Sequence, residues 1–136
     1  MSETVHDVVV VGSGVAGQSA AIYTARADLD PIVLMGEEPG GQLTLTTDVE
    51  NYLGFPEGVG GHELVQHGRE QAERFGATFE QASVVDAEFA ERPFRLTLST
   101  GETLRTRSVV LATGASARTL GVPGEDELMG YGLSTC

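Results

Sequence analysis

Three glycines, Gly12, Gly14 and Gly17, stand in the stretch VVVVGSGVAG at the spacing GxGxxG, directly after a run of valines. Where such a pattern joins a strand to a helix, each glycine has its own task. The first permits the tight turn, the second lets the main chain approach a pyrophosphate, and the third lets the helix pack closely on the strand. The unbonded amides at the helix start would face the phosphates. Packing alone also asks for small residues at such a corner, so the pattern has to be weighed with its surroundings. A ribose hydroxyl calls for an acid about 20 residues further on. Glu37 lies at that distance from Gly17, with Glu38 beside it, and a solvated turn is the plain alternative for both. At the far end of the sequence stands its one cysteine, Cys136. A lone thiol can form no intrachain disulfide, and taken alone it reads as an inert tail.

The elements needed to position these residues can be read from the hydrophobic pattern. Val5 to Val11 are almost continuously apolar and β-branched, as in a strand buried on both faces of a parallel sheet. VAGQSAAIYTARA then carries small and apolar residues at helical spacing, and PIVLMG resumes a short strand, which together make a βαβ unit. The stretch EEPGGQLTLTTDVENYLGFPEGVGG has no sustained period and reads as a long functional loop. A second helix is predicted from His62 to Phe75, with Leu64, Val65, Gly68, Ala72 and Phe75 on one face, a Glu70 to Arg74 pair, and Gly76 past its end. ATFEQASVVDAEF, FRLTLST and ETLRTR read as short strands of an antiparallel meander, with turns at Arg92-Pro93 and Thr100-Gly101, and SVVLATGA as a further buried strand. The expected fold is α/β, a doubly wound parallel sheet of Rossmann-like type with an antiparallel β-meander. Residues 1–120 would form the nucleotide-binding domain and 121–136 a linker leaving it.

Composition removes several kinds of chemistry. The 136 residues are enough for one domain with a real core. Twenty acids against eight arginines, with no lysine, give a net charge of -12. Such a surface repels nucleic acid and anionic membranes, and both solubility and life in high salt would account for it. No apolar run approaches the roughly 20 residues of a membrane span, and the N-terminus lacks the basic segment of a signal peptide, so a cytoplasmic location is expected. His6, His62 and His67 are scattered, and no metal site is expected. GxGxxG alone does not separate NAD from FAD.

Taken in order, GSGVAGQSAAIYTARA, GGQLTLTTDVENYLGFP, QAERFGA, ATGASARTLGVPGE and GLSTC resemble the bacterial and archaeal low-molecular-weight thioredoxin reductases over essentially the whole chain. The resemblance implies FAD as cofactor, held at its pyrophosphate by Gly12, Ser13, Gly14, Ala16 and Gly17. It further implies that Glu37, Gly41, Gln42, Thr47 and Asn51 line the ribose, phosphate and flavin region, that Val84 meets the adenine through its backbone, and that Thr113 and Gly114 turn the chain beneath the cofactor. Leu53 departs from the proline usual in VENYPGF. Cys136 would be the first thiol of a CxxC pair, the family continuing as ATCDG. Two thiols are needed because a mixed disulfide must be resolved by the second.

The implied reaction runs from NADPH through FAD and the dithiol to thioredoxin, in an enzyme that is a homodimer when complete. On this reading the sequence stops inside its own active-site motif, the NADPH-binding domain is absent, and the chain is inactive alone. The FAD domain would also lack a later strand and be incomplete at its C-terminus. Three other readings stay open: a ferredoxin or flavodoxin NADP reductase of the same fold, the flavoprotein subunit of an alkyl hydroperoxide reductase, and a non-catalytic module binding FAD or another adenine nucleotide.

Overall fold

The computed structural model describes residues 4–134; Cys136 lies outside them. Val5–Val11 form strand β1, in which Val8, Val9 and Val10 are all buried, so neighbouring side chains of opposite faces are both covered. The chain turns at Gly12 to Gly14 into helix α1 (Val15–Arg26), whose buried side is Gly17, Gln18, Ala21 and Ala25. Small residues there let the helix lie close on the sheet. Strand β2 (Ile32–Leu34) returns parallel to β1, with Val10 opposite Val33.

The long stretch after β2 is ordered. It contains a 3-10 turn over Gly41–Leu45 and a small hairpin of β3 (Asp48–Val49) and β4 (Val59–Gly60). Val49, Val59 and Leu64 form a satellite cluster with Leu43 and Phe55 that pins this stretch to helix α2 (Gly61–Arg74). The helix occupies nearly the predicted span, but the predicted Glu70 to Arg74 pair does not form. Arg69 pairs with Glu73 at 2.8 Å instead, and Gln66 donates to Glu70. Arg74 is drawn to the ring of Phe75, 4.8 Å away, where a cation keeps its hydration while covering an exposed aromatic face. Gly76 closes the helix at φ +106°, as expected.

Two strand assignments differ from the sequence reading. Strand β5 (Thr78–Glu80) does not join the meander but pairs parallel with β2, Val33 opposite Phe79. The meander proper is β6 (Val84–Glu88), β7 (Phe94–Leu98) and the first part of β8 (Thr103–Leu111). The predicted strands ETLRTR and SVVLATGA are thus one element, since no glycine or proline separates them and Thr106 at the join is fully buried. Its hydroxyl lies 2.9 Å from the carbonyl oxygen of Ser108 and 3.2 Å from that of His6 on β1.

The six-stranded sheet runs β5-β2-β1-β8-β7-β6. Its four parallel strands carry α1 and α2 on one face, where Val8, Val10 and Val33 pack against Ala21, Ala25 and Ala72. On the other face Leu96 and Leu98 of the meander pack with Val9, Ile32 and Leu34. Each fully buried valine or leucine contributes about 1.5–3 kcal/mol of transfer free energy. Past Thr106, β8 is paired only with β1 among the described residues, and Leu111 is 68% exposed. The last main-chain bond to the sheet is from Ala112 to Val11, 2.8 Å. The expected linker begins with exposed chain and then contains a helical turn, α3 (Glu125–Leu128). No helix among the described residues is long and apolar enough to cross a membrane.

Candidate nucleotide-binding site

The parallel strands β1, β2 and β8 end side by side, and a cavity of about 430 Å³ opens beyond their carboxyl ends. This is where an open α/β sheet leaves a crevice between diverging connections. Two hydrogen bonds hold the rim together: the Gly12 amide donates to Leu34 at the end of β2, 2.9 Å, and that of Ala112 to Val11. The approach is so close that a Cβ on Gly12 would lie 2.1 Å from the carbonyl oxygen of Ala112, and φ there is +112°. Gly17 does not line the cavity. A Cβ on it would lie 1.9 Å from the Gly12 oxygen, so this glycine sets the helix onto the turn.

Gly14 is different. It lines the cavity, its φ of -67° suits any residue, and the nearest atom to a Cβ would be the Gly40 oxygen at 3.7 Å, an ordinary contact. Nothing in the protein itself requires a glycine at this position. The side chain is missing on the face where a ligand would lie against the main chain. The amides of Val15, Ala16 and Gly17 have no partner within α1, whose first main-chain bond runs from Gln18 to Gly14, 2.9 Å. They supply the donors and the positive end of the helix dipole.

Ser13 acts as a strut. Its buried hydroxyl accepts the Gly40 amide at 2.9 Å and donates to the Met35 carbonyl at 3.3 Å, tying the glycine turn to the loop after β2. That loop brings Gly36, Glu37, Glu38, Gly41 and Gln42 to the cavity wall. Ser83 and Val84 close another side, where the β6–β7 ladder slips register between Val84 and Asp86. Thr113 and Gly114 form the floor leading out of β8.

The structure therefore gathers Gly12, Ser13, Gly14, Ala16, Glu37, Gly41, Gln42, Val84, Thr113 and Gly114 around one cavity. Thr47 and Asn51 are exposed on the stretch that holds the β3–β4 hairpin and do not line it. Met35, Gly36 and Ala112 line it without having been singled out; each lies within two residues of the end of a parallel strand, and a count from strand ends would have found them. No arginine, lysine or histidine lines the cavity. A diphosphate there would be held by neutral donors, main-chain amides foremost, beside two acids suited to sugar hydroxyls. The donor set fits an adenine dinucleotide such as FAD: amides for the pyrophosphate, a bare main chain at Gly14, and carboxylates for the ribose. A neighbouring groove of about 480 Å³ lies across the loop, between Leu45, Val65, Arg69 and Phe79, and shares Ser13 and Gly40 with the cavity. Among the described residues no three His, Cys, Asp or Glu side chains cluster as metal ligands would.

Residues 6–136 match the family "Pyridine nucleotide-disulphide oxidoreductase". A thioredoxin reductase of Mycolicibacterium smegmatis is 53% identical over 135 residues, 99% of this chain and 43% of that protein. A bifunctional thioredoxin reductase/thioredoxin of Mycobacterium leprae is 47% identical over 98% of the chain and 29% of its own length. Among solved structures, a thioredoxin reductase from Streptococcus pyogenes superposes with a TM-score of 0.86 at 34% identity, over 99% of this chain and 44% of that one. The chain thus spans less than half the length of the relatives it resembles. By its glycine turn, its strand-end cavity and this match over nearly its whole length, the chain belongs to the pyridine nucleotide-disulphide oxidoreductase family.

Proposed function

We propose that this chain is the FAD-binding part of an NADPH-dependent thioredoxin-disulfide reductase. The observation that carries the reading is Gly14, bare of a side chain on the cavity side although the fold leaves room for one. When bound, FAD supplies the ability to take a hydride from NADPH and to deliver the electron pair to a disulfide. The chain's own residues bind and orient. The amides of residues 14–17 would hold the pyrophosphate, Glu37 and Glu38 the ribose, Gly41 and Gln42 the phosphate and flavin region, and Val84 the adenine edge. Thr113 and Gly114 carry the chain away beneath the ring. Thr47 and Asn51 belong to the same set by resemblance, although they stand outside the cavity.

Cys136 would be the attacking member of a dithiol. Its thiolate would open a substrate disulfide, releasing one substrate thiol and forming a mixed disulfide that a second thiol three positions on would break. The sequence holds one GxGxxG and one cysteine, so this chain alone should bind FAD but not turn over NADPH. Thioredoxin or a similar small redox protein is the proposed acceptor, the complete enzyme the proposed homodimer, and the cytoplasm its proposed place.

The test is titration of the chain with FAD, followed by flavin absorbance and fluorescence, beside Gly14→Val. A valine side chain would occupy the space against the main chain, and FAD affinity should fall at least about a hundredfold (about 2.7 kcal/mol) while the thermal midpoint stays within a few degrees. Unchanged affinity in the folded variant would overturn the reading.

A further inference from the structure

The loop after β2 is tied down at two places. Its near end belongs to the sheet: the Met35 amide donates to the Glu80 carbonyl at 2.9 Å, the Gly36 amide to that of Ala82 at 3.0 Å, and Gln81 Nε2 to the Gly36 oxygen. Its far end is held to the glycine turn by a side chain. Gly40 and Gly41 both take left-handed conformations, φ +87° and +67°, and the buried Gly40 amide donates to Ser13 Oγ at 2.9 Å. Glycines have the most backbone freedom to lose, so a turn built on two of them keeps its place only through bonds from outside it. On the cavity side the turn touches Gly14, with a Cβ on Gly41 falling 3.7 Å from the Gly14 Cα. Val65 of α2 packs on Gly40, an apolar contact that aims no amide. The groove of about 480 Å³ that Ser13 and Gly40 also line leaves open space into which the turn could retreat.

We infer that Ser13 is a positioning residue, whose hydroxyl aligns the Gly40–Gln42 wall with the flavin half of the ligand and leaves the adenosine half to the sheet-bound end of the loop. The naming of the halves rests on the function proposed above; the tie itself does not. Glu37 and Glu38, proposed for the ribose, directly follow Gly36 and its bond to Ala82. Gly41 and Gln42, proposed for the phosphate and flavin region, directly follow Gly40 and its bond to Ser13. Without the hydroxyl, the buried Gly40 amide would have no acceptor, and the chain escapes that cost by moving the amide toward water in the groove. Gly41 and Gln42 would move with it, and the wall would no longer be set in advance for its ligand.

The test compares FAD with ADP, which lacks the flavin half, on the native chain and on Ser13→Ala, by calorimetry and flavin absorbance. FAD affinity should fall at least about tenfold more than ADP affinity, and the absorbance bands of the bound flavin should shift toward those of free FAD. Equal losses for the two ligands, as a general loosening of the fold would give, would overturn the inference. Two readouts need no ligand. In the native chain the Gly40 amide, corrected for intrinsic rates, should exchange with solvent at least about tenfold more slowly than those of the exposed Glu37 and Glu38. In Ser13→Ala it should lose that protection while the Gly36 amide keeps its own. Equal rates at Gly40 and the two glutamates, or a parallel loss at Gly36 and Gly40, would overturn the inference as well. Failure of the native chain to bind FAD would sink the proposed function and leave the exchange rates to decide whether Ser13 holds the turn.

Discussion

Gly12, Gly14 and Gly17 look alike in the sequence and answer to different forces in the fold. Gly12 and Gly17 are held by the protein's own backbone, with carbonyl oxygens where a Cβ would go; Gly14 is held by nothing internal. Gly17→Ala should therefore cost about 1–3 kcal/mol of stability through overpacking at a backbone contact, and Gly12→Ala at least as much because φ is also unfavourable. Gly14→Ala should cost roughly 0.5 kcal/mol or less, all three variants being compared by denaturant titration. Equal losses at all three positions would contradict this division of roles. Glu125 makes a prediction of another kind. Its folded carboxyl titrates below its ordinary value of 4.5, so its contribution is present above that value and is lost as pH falls through the lower folded one. Protection from solvent exchange at the Leu120 and Gly121 amides, which donate to this carboxylate, should therefore persist through pH 4.5 after correction for intrinsic rates and disappear at more acid pH. The turn at Gly12 and the packing at Gly17 were legible in the spacing, because each leaves a glycine at a fixed offset. The burial of Glu125, whose carboxylate accepts the amides of Leu120 and Gly121, was not, because one glutamate among three acids, Glu125 to Glu127, carries no mark of which is turned inward.

The helices meet through one buried amide. Gln18 of α1 donates to the Val65 carbonyl of α2 at 2.8 Å, and a Cβ on Gly68 would come within 2.2 Å of its other amide atom, Oε1. Gly68→Ala can be admitted only if Gln18 swings away and gives up that bond, a loss of about 0.5–1.5 kcal/mol. The cost should shrink or vanish in a Gln18→Ala background, and a double-mutant cycle reads that coupling directly. Additive losses would show that the two side chains do not compete. At this scale the βαβ unit and α2 were legible because their periods are unmixed over many residues. The assignments of β5 and β8 were not. Thr78–Glu80 is too short to declare whether it pairs parallel or antiparallel, and Thr106, a polar residue in the middle of β8, looks like a break until the carbonyl oxygens of Ser108 and His6 are seen to face its hydroxyl. The β3–β4 hairpin was likewise hidden by strands of two residues each.

The charge of the whole molecule bears on what its cavity can bind. Of the eight arginines, four lie over phenylalanine rings: Arg26 and Arg74 over Phe75, Arg69 over Phe79 and Arg92 over Phe94. None lines the cavity, and the chain carries twenty acids against its eight arginines. A dianionic diphosphate would then approach through a repulsive field, relieved by salt. FAD affinity should rise between about 0.05 and 0.5 M salt, the opposite of a site built on cationic side chains, because the screening length shortens severalfold over that range. The thermal midpoint should rise with salt in the same direction. Falling affinity would contradict a site without cationic side chains and show that an arginine reaches the phosphates. The overall acidity was plain in the sequence, but the placing of Arg26 over Phe75 and of Arg69 over Phe79 was not, since those rings and guanidiniums belong to different elements and meet only after folding.

Beyond Thr106, β8 offers its outer side to whatever comes alongside. A backbone left open in this way is a template, and a second molecule can lay its own extended chain against it and continue the sheet across both. The chain by itself therefore carries in its architecture a ceiling on concentration, above which a clear solution turns to haze.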